Sequence, residues 1–108
     1  MHSLERFDGT ANDTNVTTVN SSSATDLMSG LTASHRRGVM VTNNSSTAAV
    51  YGKVKSGTST PTVSSSNFHF KLNPGGEKVI QCGIAVKVWV INDTSPSSNT
   101  TCTIVELL

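Results

Sequence analysis

Charge, aromatic rings and long apolar runs are all scarce in this chain of 108 residues. Charged side chains make up 14% of it and aromatic ones 5%. Eight basic residues stand against seven acidic ones, a formal net charge of +1, so no global field draws the protein to nucleic acid or to an anionic membrane. No stretch approaches the roughly 18 consecutive apolar residues of a membrane helix. The first residues, MHSLERFDGTAND, lack a basic segment followed by an apolar one, so no signal peptide is expected and the protein is expected to be made and kept inside a cell. Two cysteines, Cys82 and Cys102, are too few for a disulfide framework, and their spacing matches no zinc pattern. Free, half-buried thiols are expected, with a cross-strand disulfide as the alternative.

The same scarcity reaches catalysis. A nucleophile needs a base within reach, and the base needs an orienting partner. Of the three histidines, His2 lies near the start, His35 precedes two arginines, and His69 alternates outward between Phe68 and Phe70. No serine sits in a Gly-x-Ser-x-Gly elbow. The seven carboxylates are scattered, and no His/Cys cluster has metal-ligand spacing. Pro74-Gly75-Gly76-Glu77 joins two strands without a following helix, which excludes a phosphate cradle. No catalytic, cofactor-binding or metal-ligating residue is assigned. The protein is expected not to be an enzyme and to need no cofactor.

Serine, threonine and asparagine fill the space, at 40 of 108 positions. Their side chains compete for backbone hydrogen bonds, which disfavours helix and suits turns and strand faces. They also generate seven Asn-x-Ser/Thr sequons, better explained by composition than by glycosylation in a chain without a secretory signal. Residues 1–35 are expected to form an extended N-terminal arm with one short strand at Val16–Asn20. Residues 36–108 are expected to form a small antiparallel β-sandwich, jelly-roll-like.

The strands of that domain follow from alternation. Gly38–Thr42 leads into an Asn43-Asn44 turn. Ala48–Lys55 places Ala48, Val50, Gly52 and Val54 on one face and Ala49, Tyr51, Lys53 and Lys55 on a solvated one. Phe68, Phe70 and Leu72 are expected to face inward together. Asn73-Pro74-Gly75-Gly76 is a turn, since proline presets φ and glycine supplies a positive one. Glu77–Cys82, Ala85–Ile91 and Cys102–Leu107 complete the set, and the KSGTSTPTVSSSN loop is expected to be unstructured. In Ala85–Ile91 both faces carry apolar groups, so the strand is central or has its outer face covered by a partner.

The order of the pieces adds a resemblance. Arg36-Arg37-Gly-Val-Met-Val-Thr-Asn-Asn-Ser-Ser-Thr, Ala-Ala-Val-Tyr-Gly-Lys-Val, Phe-Lys-Leu-Asn-Pro-Gly-Gly-Glu-Lys-Val, Val-Lys-Val-Trp-Val-Ile and a closing Val-Glu-Leu-Leu together resemble small β-sandwich modules of tailed bacteriophage virions. Such modules occur in capsid decoration (cement) proteins and head fibres. The chain departs from their pattern at Lys53 and in the length of the 56–67 loop. The resemblance implies a virion structural protein on the outer capsid surface, made in the host cytoplasm, that stabilises the shell. Its implied partners are the phage major capsid protein and further copies of itself, as a homotrimer, with no nucleic acid and no membrane. Leu4, Phe7, Leu27, Met28, Arg36 and Arg37 are the residues expected at the capsid, and Trp89 and Ile91 between subunits. The alternative is a glycan-binding or host-adhesive module, with Trp89, Tyr51 and the 56–66 loop at its site.

Overall fold

The computed structural model describes residues 11–29, 31, 36–83, 85–93 and 100–107, with side chains from residue 16 onward. Eight strands are formed: β1 (Ala11–Val19), β2 (Thr25–Asp26), β3 (Gly38–Asn43), β4 (Val50–Ser56), β5 (Phe70–Leu72), β6 (Glu77–Gln81), β7 (Val86–Asn92) and β8 (Thr100–Leu107). They make two four-stranded sheets, in the orders β1-β8-β3-β6 (sheet A) and β2-β7-β4-β5 (sheet B), and every neighbouring pair is antiparallel. The pairs β1·β8, β2·β7, β3·β6 and β4·β5 are the rungs of one long hairpin rolled up so that its strands fall into two layers. That is the jelly-roll arrangement, an eight-stranded sandwich of two Greek keys.

The core lies between the sheets. Val39 and Val41 of β3, Val50 of β4, Val88 and Val90 of β7, and Cys102 and Ile104 of β8 are all fully buried there. Each comes from alternate positions of its strand, so the period of two that marks these segments in the sequence is the period of burial. Phe70 completes the edge of sheet B in an unusual way. It pairs with Gly52 across β4 and β5, and its ring occupies the space where a β-carbon would stand.

The expected division at residues 35 and 36 does not coincide with a division of the fold. β1 runs beside β8 from Thr14↔Val105 to Val19↔Thr100, and β2 pairs with β7. Val19, Leu27 and Met28 are buried in the same core as the later strands. The first rung of the jelly roll comes from this polar segment, and its apolar residues are the ones that close the sandwich. Residues 1–10, with Leu4 and Phe7, lie outside the described residues.

The Asn-Asn-Ser turn after β3 is built from side chains. Asn43 is fully buried, and its Nδ2 donates to the carbonyls of Ala48 (2.8 Å), Leu72 (3.1 Å) and Asn73 (3.2 Å). Its Oδ1 accepts from the Ser45 N–H at 3.0 Å. A buried amide whose donors and acceptor are all engaged costs little to bury and fixes the segments it joins. Asn44 faces the other way, donating from Nδ2 to Thr101 Oγ1 (3.2 Å) and Thr103 Oγ1 (2.9 Å). At the Asn73–Gly76 turn the Gly76 N–H donates to the Asn73 carbonyl at 2.8 Å, and Gly75 has a φ of 74°. Proline followed by a positive-φ glycine is the type II arrangement.

Candidate functional site

Three regions compete as the working surface, and each has a different chemistry. The first is the end of the sandwich where Arg36 enters. The inward row of β8 runs Thr100, Cys102, Ile104, Glu106, all buried. Glu106 therefore sits in the core layer, where Arg36 Nη1 meets its Oε2 at 2.8 Å. Arg36 Nη2 donates to the Val86 carbonyl of sheet B at 3.2 Å, so one guanidinium ties both sheets together. Cys82 lies in the same region. Burial raises its pKa, with the nearby Arg36 pulling the other way. Arg36 was expected to face a capsid; the structure instead encloses it, because the carboxylate that neutralises it is inside. Arg37 is exposed.

The second region is the outer face of sheet B. Tyr51 and Ile91 are cross-strand partners, as are Lys53 and Trp89. Ala49, Tyr51, Trp89, Ile91 and Val63 form a buried cluster of their own, with Ala24 packed against it. Val63 belongs to the loop expected to be unstructured. A Ser64↔Asn67 bridge holds that loop, whose backbone groups bond each other at 3.0 and 3.1 Å. The face expected to be solvated around Tyr51 is thus closed by the chain itself. Trp89 and Ile91, expected between subunits, are covered by Val63 and Ala24, so they supply no argument for a trimer.

Around this cover two clefts open. One, of about 250 Å³, lies between Ser21–Ser22, Val63–Ser65 and the Ile91–Asp93 end of β7, with Tyr51 in its wall. The other, of about 230 Å³, shares Ser22, Val63 and Ile91 and continues along Thr60–Thr62. Serine and threonine hydroxyls, Asn92 and Asp93 share these walls with Tyr51, Val63, Ile91, Ala24 and Pro61, a mixed lining compatible with the hydroxyl edges and apolar faces of a sugar ring. Asn20 shapes the near wall, its Oδ1 accepting the N–H groups of Ser22 and Ser23, each at 3.0 Å. Phe68, expected to point inward, is exposed beside Tyr51 with ring centroids 5.1 Å apart, and Lys71 Nζ lies 5.7 Å from the Tyr51 ring. β5 begins only at Phe70, which removes Phe68 from the inward row.

The third region is the outer face of sheet A. Val105, Met40 and Val79 lie side by side across β8, β3 and β6, half-buried, with Val16 of β1 one row away. No segment is described over this face.

Of the residues expected at interfaces, Trp89 and Ile91 come together with Tyr51, and Leu27 and Met28 join the core. His69, a candidate base by residue type, accepts the Val54 N–H on Nδ1 at 3.1 Å and so serves the β4–β5 edge. Glu106 and Val63 were not expected. For Glu106 the signal was present: continuing the alternation Cys102, Ile104 puts residue 106 inside, and a buried carboxylate calls for a buried cation. Nothing in SGTSTPTVSSSN distinguishes Val63 except that it is the loop's one large apolar residue. The two cysteines are free and both buried. Register separates them: Gln81 pairs with Gly38 and Cys102 with Asn43, at opposite ends of β3. Comparison with protein-family models, curated proteins and solved structures gives no match.

Proposed function

We propose that this chain is a non-catalytic virion structural protein, a decoration protein that binds the outside of a phage head through its major capsid protein and stabilises the shell. The observation that carries the reading is the correspondence between the ordered sequence pieces and the fold. The Arg-Gly strand, the Asn-Asn-Ser turn, the Val-Tyr-Gly strand, the Pro-Gly-Gly turn and the two closing strands are successive parts of one jelly roll. Jelly rolls are used for both viral capsid and lectin domains, so the architecture is compatible with the role and is support by analogy. A protein of this size would gain shell affinity from repetition over many copies. The test is assembly of shells with and without the protein, followed by heat and osmotic shock. Decorated shells should survive conditions that rupture bare ones. Equal survival would overturn the stabilising role.

A second reading is favoured by the cleft beside Tyr51, where serine hydroxyls and Asp93 meet apolar Val63 and Ile91: a glycan-binding module on the virion surface. The residue to test is Asp93, since Trp89 is buried beneath the loop. Glycan-array binding that disappears in Asp93→Ala, with an unchanged circular dichroism spectrum, would favour this reading. No binding by the native protein would remove it.

A further inference from the structure

Four strands end the two sheets, and they are not equally protected. β2 and β5, the edges of sheet B, have two and three residues. β6, one edge of sheet A, has five residues and carries exposed Glu77 and Lys78. Short strands and charged side chains are the usual devices that keep a sheet edge from pairing with another chain. β1, the remaining edge, has nine residues with a single charge at Asp13, no lysine and no proline.

The hydrogen bonds of β8 show which groups of β1 have no strand partner among the described residues. The Leu107 carbonyl accepts from Arg37 N–H (2.9 Å) and the Thr101 carbonyl from Asn44 N–H (3.0 Å), so the odd-numbered residues of β8 face β3. In an antiparallel ladder the even-numbered ones, Thr100, Cys102 and Ile104, then bond to β1. Their partners are Val19, Thr17 and Asn15. The backbone N–H and C=O groups of Thr14, Val16 and Thr18 consequently point away from the sheet. Val16, at the centre of the three, is 61% exposed.

We propose that β1 is the docking edge for a second copy of this chain. Two β1 strands pair antiparallel about a two-fold axis at Val16, joining the two A sheets into one of eight strands. The positions involved are Thr14, Val16 and Thr18, so the two-fold sets valine against valine and threonine against threonine, uncharged pairs that each occur in both copies. Val16 then lies opposite its own copy, and Thr14 opposite Thr18 of the other copy, in both directions. These pairs supply about six backbone hydrogen bonds. Residues 14–19 carry no charge, so nothing repels the like strand. The register irregularity between Ala11 and Thr14 ends the pairing segment on one side. A contact of one strand per partner is below the area of a standard stable interface, so the dimer is weak and concentration-dependent. The inference is independent of the virion and glycan readings.

The test is sedimentation equilibrium of the full chain from about micromolar to about millimolar concentration, the range over which an interface below standard size associates. A monomer–dimer equilibrium is expected. Val16→Lys, at an exposed position, should weaken association at least about tenfold, and Gln81→Lys on β6 should not change it. Amide exchange of the unaltered protein gives a readout that needs no variant: Val16 and Thr18 should gain protection as concentration rises. A monomer at every concentration would overturn the proposal. So would a dimer whose added protection lies on another element.

Discussion

The two sheets of this sandwich treat their outer faces in opposite ways. Sheet B spends its long loop on covering itself: Val63 and Ala24 close over Trp89, Tyr51 and Ile91. Sheet A leaves Val105, Met40 and Val79 half-buried without described cover and ends at β1, a long strand whose outer edge pairs with no described strand. The difference shows that a two-faced apolar strand does not by itself imply a partner subunit. β7 meets its need within the chain. Among the described residues, the long edge without a partner belongs to the Thr-rich strand that looks least sticky by composition.

The inner faces differ as well, and the largest effect should come from there. Sheet A places Glu106 in its core row, against the buried Arg36. Glu106→Ala leaves the guanidinium in the core without its carboxylate, at an expected cost of about 3–5 kcal/mol by urea denaturation. Replacing both partners, Arg36→Met with Glu106→Leu, should recover most of that loss. A Glu106→Ala protein as stable as the original would mean that the pair is not buried.

Sheet B should break at its edge. A β-carbon at Gly52 would fall within the Phe70 ring, so Gly52→Ala forces the ring off β4 at an expected cost of about 2–3 kcal/mol. Amide exchange of Phe70–Leu72 should accelerate before that of sheet A. A β-carbon at Gly83 meets no described atom within 4 Å, and Gly83→Ala should stabilise the protein by about 0.4–1 kcal/mol, the usual gain from a stiffer unfolded chain.

A smaller effect sharpens the contrast through pH. Burial pushes the Cys102 thiol from 9.0 up to about 12 and raises Cys82 as well. Both hold their protons more tightly when folded than when unfolded. The Cys102 contribution is therefore complete below about pH 9 and is lost as pH rises toward 12, and the Cys82 contribution likewise declines above about pH 9. Native stability should fall above pH 9 by at most about 1.4 kcal/mol per pH unit for each thiol. Cys102→Val should flatten that slope. An unchanged slope would place the thiol in water.

Much of the jelly roll was legible in the sequence because burial in a strand leaves a period of two. β3, β4, β6, β7 and β8 lie within a few residues of their expected positions, and the Pro74-Gly75 turn has the geometry that its residues demand. β1 was legible only as a short strand in an arm, since Thr and Asn on both sides of Val16 give no apolar alternation. Its place in the sheet depends on β8, 85 residues further along the chain at the Thr17↔Cys102 pair. The candidate cleft was half legible. Tyr51 and the 56–66 loop were expected together, but a loop of Ser and Thr does not announce that its single valine will turn inward.

The most direct measurement of the difference between the faces is the accessibility of Trp89, the only tryptophan. Its fluorescence and acrylamide quenching should be followed from dilute monomer to high concentration, in the native protein and in Val63→Ser. Cover by the chain's own loop gives blue-shifted, poorly quenched emission at every concentration in the native protein. In Val63→Ser the emission shifts red and quenching increases. Emission that is red and readily quenched in the dilute native protein, and becomes shielded only as copies associate, would contradict this. It would return Trp89 and Ile91 to an interface between subunits.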